Sequence, residues 1–379
     1  MKKIAFVVAI PGTAHSFLYN HFLQLTTRYE VHLYANFPDE DTMSLFTEIG
    51  VKCHSYPAER KISIVQDLKA LWALYKAFKQ ERFDCVHSVT PKAGLLTAIA
   101  GKYAKIPHRI HIYTGQVWAT RKGAMRRFLK FLDSVPAMLN TSLLVDGHSQ
   151  RRFLIDEGVL KEKNSTVLGK GSIVGVKLAN FEISTIVRNA EREKFGFNAD
   201  DVVYVFLGRL NHDKGIGELY EAFNRLVVEC SNAKLLFYGS DEEEYEEKAS
   251  AYSNIRRNEN FFYPGRTNRP NDALQAGDVF VLPTWREGFG QSVIEAQALG
   301  LPVITSDAYG VVDASVEGVT GLRCKVNDSE GLYECMKTYY HDASLRKAHG
   351  EAGRKRIEEN FDNRIVSAAW VKFYKDMLG

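Results

Sequence analysis

The sequence predicts an α/β protein built from two doubly wound, Rossmann-like domains. Apolar runs of strand length alternate with helical patterns, as in parallel sheets whose strands are joined by crossover helices. The alternation starts afresh near residue 200. The 379 residues also exceed the roughly 250–300 that one core usually holds.

The chain opens Met1-Lys2-Lys3 and continues with an apolar run from Ile4 to Ile10. Two lysines before apolar residues mimic a secretory signal. The run is short, however, stops at Pro11-Gly12 and has no small-residue cleavage site after it. It reads as a buried first strand, Lys3–Ile10. Further strands follow at Glu30–Tyr34, Val51–His54, Cys85–Ser88, Arg109–Tyr113, Leu143–Val145 and Thr166–Leu168, with helical stretches at Ile62–Lys79 and Pro91–Tyr103. The restart gives strands at Val202–Leu207, Lys234–Tyr238, Phe261–Tyr263, Val279–Leu282, Pro302–Thr305 and Gly321–Lys325. Helices are expected at Gly215–Glu229 and over 292–299. From Asn363 to Leu378, apolar residues recur at helical spacing, which predicts an amphipathic packing helix. The expected domains are 1–172, 173–360 and a C-terminal helical segment 361–379, with the two halves joined near 172–200.

Composition narrows the function. Five cysteines, Cys53, Cys85, Cys230, Cys324 and Cys335, form no CxxC pair, which argues against a disulfide framework or zinc site and for a reducing compartment. No run approaches the ~20 apolar residues of a membrane span. The chain therefore reads as cytoplasmic and not integral to the membrane. Residues 1–170 carry 24 Lys+Arg against 14 Asp+Glu, or +10, which leaves −7 for the remainder of a +3 chain. A basic N-terminal half suits an anionic partner: a membrane surface, a phosphate-bearing acceptor or nucleic acid, although no nucleic-acid motif is present.

Several cofactor signals fail. Gly169-Lys170-Gly171 with Gly175 has the wrong spacing for a dinucleotide fingerprint, which disfavours a dehydrogenase, and no phosphate loop of the GxxxxGK[ST] type occurs. Asp39-Glu40-Asp41 is a DxD triplet in a polar stretch and reads as a solvated loop. The acidic run Asp241–Glu247 reads as the first turn of a helix capped by Ser240, where carboxylates suit the helix dipole. The eleven histidines show no ligand spacing. No metal and no resident cofactor are expected.

Two stretches carry chemistry. Gly208-Arg209-Leu210-Asn211-His212-Asp213-Lys214-Gly215 lies between a strand and a helix. Ligands of open α/β sheets bind beyond the carboxyl ends of the strands. There Gly208 permits close approach, and Arg209 and Lys214 add two cations to a helix N-terminus that already favours anions. This is chemistry for a pyrophosphate. The second stretch, Thr284 to Ala296, follows the strand Val279–Leu282. Gly288, Phe289 and Gly290 form a turn, and the backbone N–H groups of Gln291, Ser292 and Val293 open a helix toward the crevice. Glu287 is placed to hold sugar hydroxyls and Glu295 to accept from ribose hydroxyls.

Together these residues resemble the retaining family-4 glycosyltransferases, which have the GT-B fold. The shared pattern runs Gly208-Arg209-Leu210, Lys214-Gly215, Pro283-Thr284, Glu287-Gly288-Phe289-Gly290, Glu295-Ala296 and Gly300-Leu301-Pro302-Val303-Ile304. Glu317-Gly318-Val319-Thr320-Gly321-Leu322 and His87-Ser88-Val89-Thr90-Pro91-Lys92-Ala93-Gly94 extend it over nearly the whole chain. The resemblance implies two Rossmann-like domains facing across a cleft, with the C-terminal helix crossing back to an acceptor-binding N-terminal domain. It implies that Arg209 and Lys214 neutralise a donor diphosphate and that Glu295 holds the ribose and Glu287 the transferred sugar. Gly265 and Arg266 then lie near the base, and Gly12 approaches the diphosphate from the other domain. The implied reaction moves a hexose-type sugar from a nucleoside diphosphate, UDP in the first instance, to a glycan acceptor hydroxyl with retention, by front-face attack. Acceptors in the similar bacterial capsule and O-antigen members are often lipid-linked. One departure is Thr114-Gly115-Gln116, where many members carry a His that contacts the donor sugar. His111 nearby reads as structural. The alternatives are a nucleotide-sugar 2-epimerase of the same fold and a non-catalytic nucleotide-sugar-binding protein.

The segment Trp118 to Phe131 interleaves Arg121, Lys122, Arg126, Arg127 and Lys130 with Met125, Phe128, Leu129 and Phe131. Read as one amphipathic helix, it suits docking on the anionic inner face of the plasma membrane, although Arg126 and Arg127 also suit an acceptor phosphate.

Overall fold

A computed structural model of the chain describes residues 1–58, 63–242 and 258–379. The chain divides into two compact units, Met1–Val174 with Asn363–Gly379, and Gly175–Asp362. In the first unit the strands are β1 Lys3–Val7, β2 Glu30–Ala35, β3 Lys52–Ser55, β4 Cys85–Val89, β5 His108–Tyr113, β6 Ser142–Val145 and β7 Ser165–Thr166. Its helices are α1 Pro11–Phe17, α2 Tyr19–Leu25, α3 Glu40–Thr47, α4 Ile64–Glu81, α5 Pro91–Tyr103, α6 Gly123–Leu139 and α7 His148–Asp156. The second unit holds β8 Val202–Leu207, β9 Ala233–Tyr238, β10 Phe261–Gly265, β11 Val279–Leu282, β12 Val303–Ser306 and β13 Gly321–Cys324. Its helices are α8 Thr185–Glu193, α9 Ile216–Glu229, α10 Pro270–Leu274, α11 Gln291–Ala298, α12 Val311–Ala314, α13 Ser329–His341 and α14 Ala343–Asn360. The last helix, α15 Asn363–Leu378, belongs to the first unit.

Both sheets are parallel, with orders β3-β2-β1-β4-β5-β6-β7 and β10-β9-β8-β11-β12-β13. Each switches direction beside its first strand, so right-handed crossovers put helices on both faces. Strand β1 shows the consequence. Ile4 and Phe6 join one core with Phe22, Leu25, Phe46 and Trp370, while Ala5 and Val7 join another with Ala70, Leu74 and Phe78. Burial on both faces is why the strands read as continuous apolar runs. The first strand ends at Val7 rather than Ile10 because Pro11 opens α1 four residues further on.

Helix α15 closes the first core. Trp370 stacks on His21 at 4.3 Å and on His87 at 5.2 Å. His21 Nε2 donates to the Ile173 carbonyl at 2.6 Å, and its Nδ1 lies 3.0 Å from Ser367 Oγ. Burial lowers the His21 pKa to about 4. His111, which lies 3.0 Å from Ser88 Oγ, is likewise buried and held at about 4.

Three local expectations are corrected. Asp39-Glu40-Asp41 is a helix start and not a loop: Asp39 caps α3 by accepting from the Thr42 N–H at 2.7 Å. Ser240 does not open a helical turn at Asp241 and Glu242, because Asp241 bridges to Leu210 and Glu242 pairs with Arg209. The rest of that acidic run, 243–247, and Ile62 lie outside the described residues. Trp118 to Phe131 is not one helix. Trp118 is 0% exposed and donates to Asp133 at 2.7 Å, and α6 begins only at Gly123, with Lys122 as its cap. Arg121 and Lys122 therefore precede the helix, and Arg126 and Lys130 both bind Glu157 at 2.6 Å. The physical reason is local: Trp118 is drawn into the core beside Tyr113 and Leu154, with Leu129 packed against it, whereas Met125, Phe128 and Phe131 on α6 stay 58%, 54% and 60% exposed.

Candidate donor site in the second unit

The central strand β8 runs out at Leu207 and delivers Gly208 and Arg209 to the carboxyl edge of the sheet. A short 3-10 turn, His212–Lys214, then turns the chain into α9 through Gly215, whose φ is +70°. A side chain at Gly215 is excluded twice: the backbone is left-handed, and a Cβ would stand 2.0 Å from the Pro283 carbonyl oxygen. That close approach seats the 208–215 loop on the loop that leaves β11. Gly239, after β9, is equally confined, because its Cβ would meet the Gly208 carbonyl oxygen at 1.6 Å.

Asp213 fastens the two loops together. Its carbonyl accepts from Thr284 Oγ1 and from the Trp285 N–H, each at 2.8 Å. Its carboxylate accepts from Arg286 Nε at 2.9 Å and Nη2 at 2.6 Å. The next residue on each strand of this junction pairs too, since Lys214 Nζ bonds Glu287 Oε1. Trp285 is fixed from both ends, by its indole N–H to Glu218 at 3.0 Å and by His212 packing edge-on at 4.4 Å. Arg209 is 48% exposed and paired with Glu242 at 2.7 Å. Arg209 and Lys214 are thus charge-compensated by carboxylates that an anionic ligand must displace, and a diphosphate that replaces them regains charge-assisted bonds.

Beyond Glu287 the chain turns into α11. Gly288 is buried, and Phe289 lies in the core against Phe361 at 5.4 Å, so neither presents a side chain to a ligand. Val293 is buried too, and its N–H is spent on the Gly290 carbonyl at 3.0 Å. Of the helix start, Gln291 and Ser292 remain partly exposed. Gln291 Nε2 donates to Glu295 Oε1 at 3.0 Å and to the Gly175 carbonyl at 2.9 Å. Burial raises the Glu295 pKa to about 7, and the Gln291 bond only partly offsets it. Gly265 ends β10 next to β9, with its carbonyl accepting from Gly239 N–H at 3.1 Å, and Arg266 beside it is exposed.

One junction therefore gathers Gly208, Arg209, Lys214 and Glu287, with Glu295 one helix turn beyond Gln291. Gly12 is in the first unit, exposed in α1. Gln116, in the segment that departs from the family pattern, is fully buried and accepts from Gln150 Nε2 at 3.2 Å. The sequence reading missed Asp213, Arg286, Trp285 and Glu242. A signal existed, because Asp213-Lys214 and Arg286-Glu287 are opposite-charge dipeptides that pair acid to base in both positions. Among the described residues no group of three or more His, Cys, Asp or Glu could hold a metal ion.

Residues 187–356 match the family described as Glycosyl transferases group 1, and residues 24–166 match the Glycosyl transferase 4-like domain. The chain is 34% identical over 326 residues to a capsular polysaccharide biosynthesis glycosyltransferase of Staphylococcus aureus, covering 86% of this chain and 85% of that one. It is 27% identical over 311 residues to the UDP-Gal:alpha-D-GlcNAc-diphosphoundecaprenol alpha-1,3-galactosyltransferase of Escherichia coli, covering 81% and 77%. Its fold matches the crystal structure of Anabaena HepE in complex with UDP-glucose, with a TM-score of 0.82 over 99% of this chain and all of that one at 16% identity. The architecture is GT-B.

Proposed function

The chain belongs to the group 1 glycosyl transferases, and from that premise we propose that it moves a hexose from a UDP-sugar to a lipid-diphosphate-linked glycan, with retention, in bacterial surface polysaccharide synthesis. One observation carries this reading: Arg209, Lys214, Glu287 and Glu295 stand around a single loop junction at the carboxyl edge of the second sheet. The E. coli relative is named for a UDP-sugar donor and an undecaprenyl-diphosphate acceptor, which supports both substrate classes here.

In this mechanism the donor diphosphate takes Arg209 from Glu242 and Lys214 from Glu287. The two cations then stabilise charge that grows on the leaving diphosphate, the charge for which fixed donors are most effective. Glu287, released from Lys214, accepts from hydroxyls of the sugar. Glu295 accepts from the ribose when ionised. The acceptor hydroxyl attacks from the face the diphosphate leaves, and a diphosphate oxygen takes its proton. Positioning by the clamped loops supplies the remainder. The reaction uses no metal. The enzyme works at an anionic membrane surface, where exposed Arg121, Lys122 and Arg127 add electrostatic attraction.

The test is a panel of nucleoside diphosphate sugars with GlcNAc-diphosphate-lipid as acceptor. Transfer from a UDP-hexose is expected, and NMR should find the donor's anomeric configuration in the product. Absence of transfer with every donor, or an inverted product, would overturn the reading. A free epimer formed without acceptor would favour a 2-epimerase instead.

A further inference from the structure

Helix α4 carries two apolar stripes. Ala70, Leu74 and Phe78, spaced i, i+4, i+8, are fully buried against the sheet. On the opposite side Ile64, Val65, Leu68 and Trp72 are 74%, 64%, 60% and 57% exposed. A helix of a soluble domain normally needs only the first stripe. The second continues onto α5, where Tyr103 is 72% exposed. Between the two helices a groove of about 520 Å³ is lined by Leu68, Leu71, Trp72, Tyr75, Ile99 and Tyr103. Contiguous apolar surface of this kind marks an interaction site.

The charges say what covers it. Lys69, Lys76 and Lys79 flank the stripe on α4, and Lys102 and Lys105 stand at the end of α5, all exposed. Lys76 Nζ lies 5.2 Å above the Trp72 ring, and Tyr75 stacks on the same ring at 5.5 Å. The one acid in the first turns of α4, Asp67, is half-buried and paired with Lys92 at 2.7 Å. Apolar chains ringed by lysines, with Trp and Tyr at the boundary, match an anionic lipid interface: acyl chains meet the stripe and headgroups meet the ammonium groups.

We propose that the α4–α5 face inserts into the acyl boundary of an anionic bilayer and is a membrane contact of this protein. The inference rests on the membrane-surface part of the proposed function, and it adds a second apolar surface to the basic segment around α6, where Met125, Phe128 and Phe131 are also exposed. Salt releases a contact made by charges alone, whereas an inserted face keeps part of its binding.

Tryptophan fluorescence tests this. Trp118 and Trp370 are buried and Trp285 is held by Glu218, which leaves Trp72 as the exposed indole. Vesicles of phosphatidylglycerol and phosphatidylcholine with brominated acyl chains should quench wild-type emission and leave Trp72→Phe unquenched. Leu68→Glu should lower vesicle partitioning at least about tenfold, and wild-type binding should persist in part at high salt. Turnover of a soluble, short-chain acceptor should be unchanged in Leu68→Glu, so loss of docking is separable from loss of transferase activity. Equal quenching in Trp72→Phe, unchanged partitioning of Leu68→Glu, or loss of its soluble-acceptor turnover would overturn the proposal. A dimer that Leu68→Glu dissolves, without lipid quenching, would assign the face to a second copy of the chain.

Discussion

Replacing Arg286 with Ala isolates the clamp on the donor loops. Both bonds from Arg286 end on one oxygen of Asp213, at 2.9 and 2.6 Å, and the two side chains are only 17% and 22% exposed. Bonds to charged groups contribute about 1.5–3 kcal/mol each. Two features hold the net figure near the lower end. The bonds share an acceptor, and Thr284 and Trp285 still hold the Asp213 carbonyl when the side chain is gone. A loss of about 1.5 kcal/mol remains, and apparent affinity falls with the fraction of molecules whose loops stay aligned. That converts to about a tenfold rise in donor KM. In a unit of this size it also lowers Tm by about 3–6 °C. The assay is a double-mutant cycle with Asp213→Ala, read in both KM and Tm. Coupling above about 1 kcal/mol in KM is expected, because each single variant breaks the same contact. Additive effects on KM, with coupling under about 0.5 kcal/mol, would refute the idea that this pair aligns Lys214 and Glu287.

Alanine at Arg209 or at Lys214 should cut transfer at least about tenfold, since each removes a charge-assisted bond to the diphosphate; unchanged rates in both variants would end that assignment. Glu295, held at about 7 by burial, accepts from the ribose only when ionised, so donor KM should fall as pH rises through 7. Glu295→Gln should flatten this profile with kcat little changed, while Glu287→Gln lowers kcat; a pH-independent wild-type KM contradicts the role given to Glu295. His21 and His111, held at about 4 against an ordinary 6.5, stay neutral in the fold while the unfolded chain takes up protons. The stability they confer is complete above pH 6.5 and is lost as pH falls toward 4, about 3 kcal/mol for each at ~1.4 per pH unit. Urea midpoints at pH 7.5 and 4.5 measure this, and equal midpoints would speak against it. Activity should survive excess chelator; complete loss that Mg²⁺ or Mn²⁺ restores would show that the transfer needs a metal.

The parallel sheets were legible because doubly covered strands are apolar throughout, and β8 and the final helix begin and end where the sequence places them. Strand ends were less legible. Whether Val8 to Ile10 extend β1 depends on pairing with a neighbour and not on hydropathy. In the site, charged residues at a strand-to-helix loop named Arg209, Lys214, Glu287 and Glu295. Phe289 and Val293 look the same in a motif but spend themselves on packing and on the turn. Trp118 misled for the opposite reason: beside five basic residues it resembles an interfacial anchor, yet its indole N–H has a buried partner in Asp133. Burial is a tertiary property, and only the fold reveals which of two apolar stripes on a helix such as α4 is satisfied.

The placement of α15 has a consequence for how the polypeptide acquires its shape as it leaves the ribosome. The second unit is one continuous stretch of chain, so all of its core emerges together. The first unit is interrupted: Trp370 and Tyr374, which fill the space beside Phe6, His21 and His87, are translated only after the whole second unit. During synthesis the N-terminal sheet therefore waits with its inner wall uncovered while the later unit completes itself. The order of completion is the reverse of the order of synthesis, and nascent-chain chaperones have the longest opportunity to act on the N-terminal half.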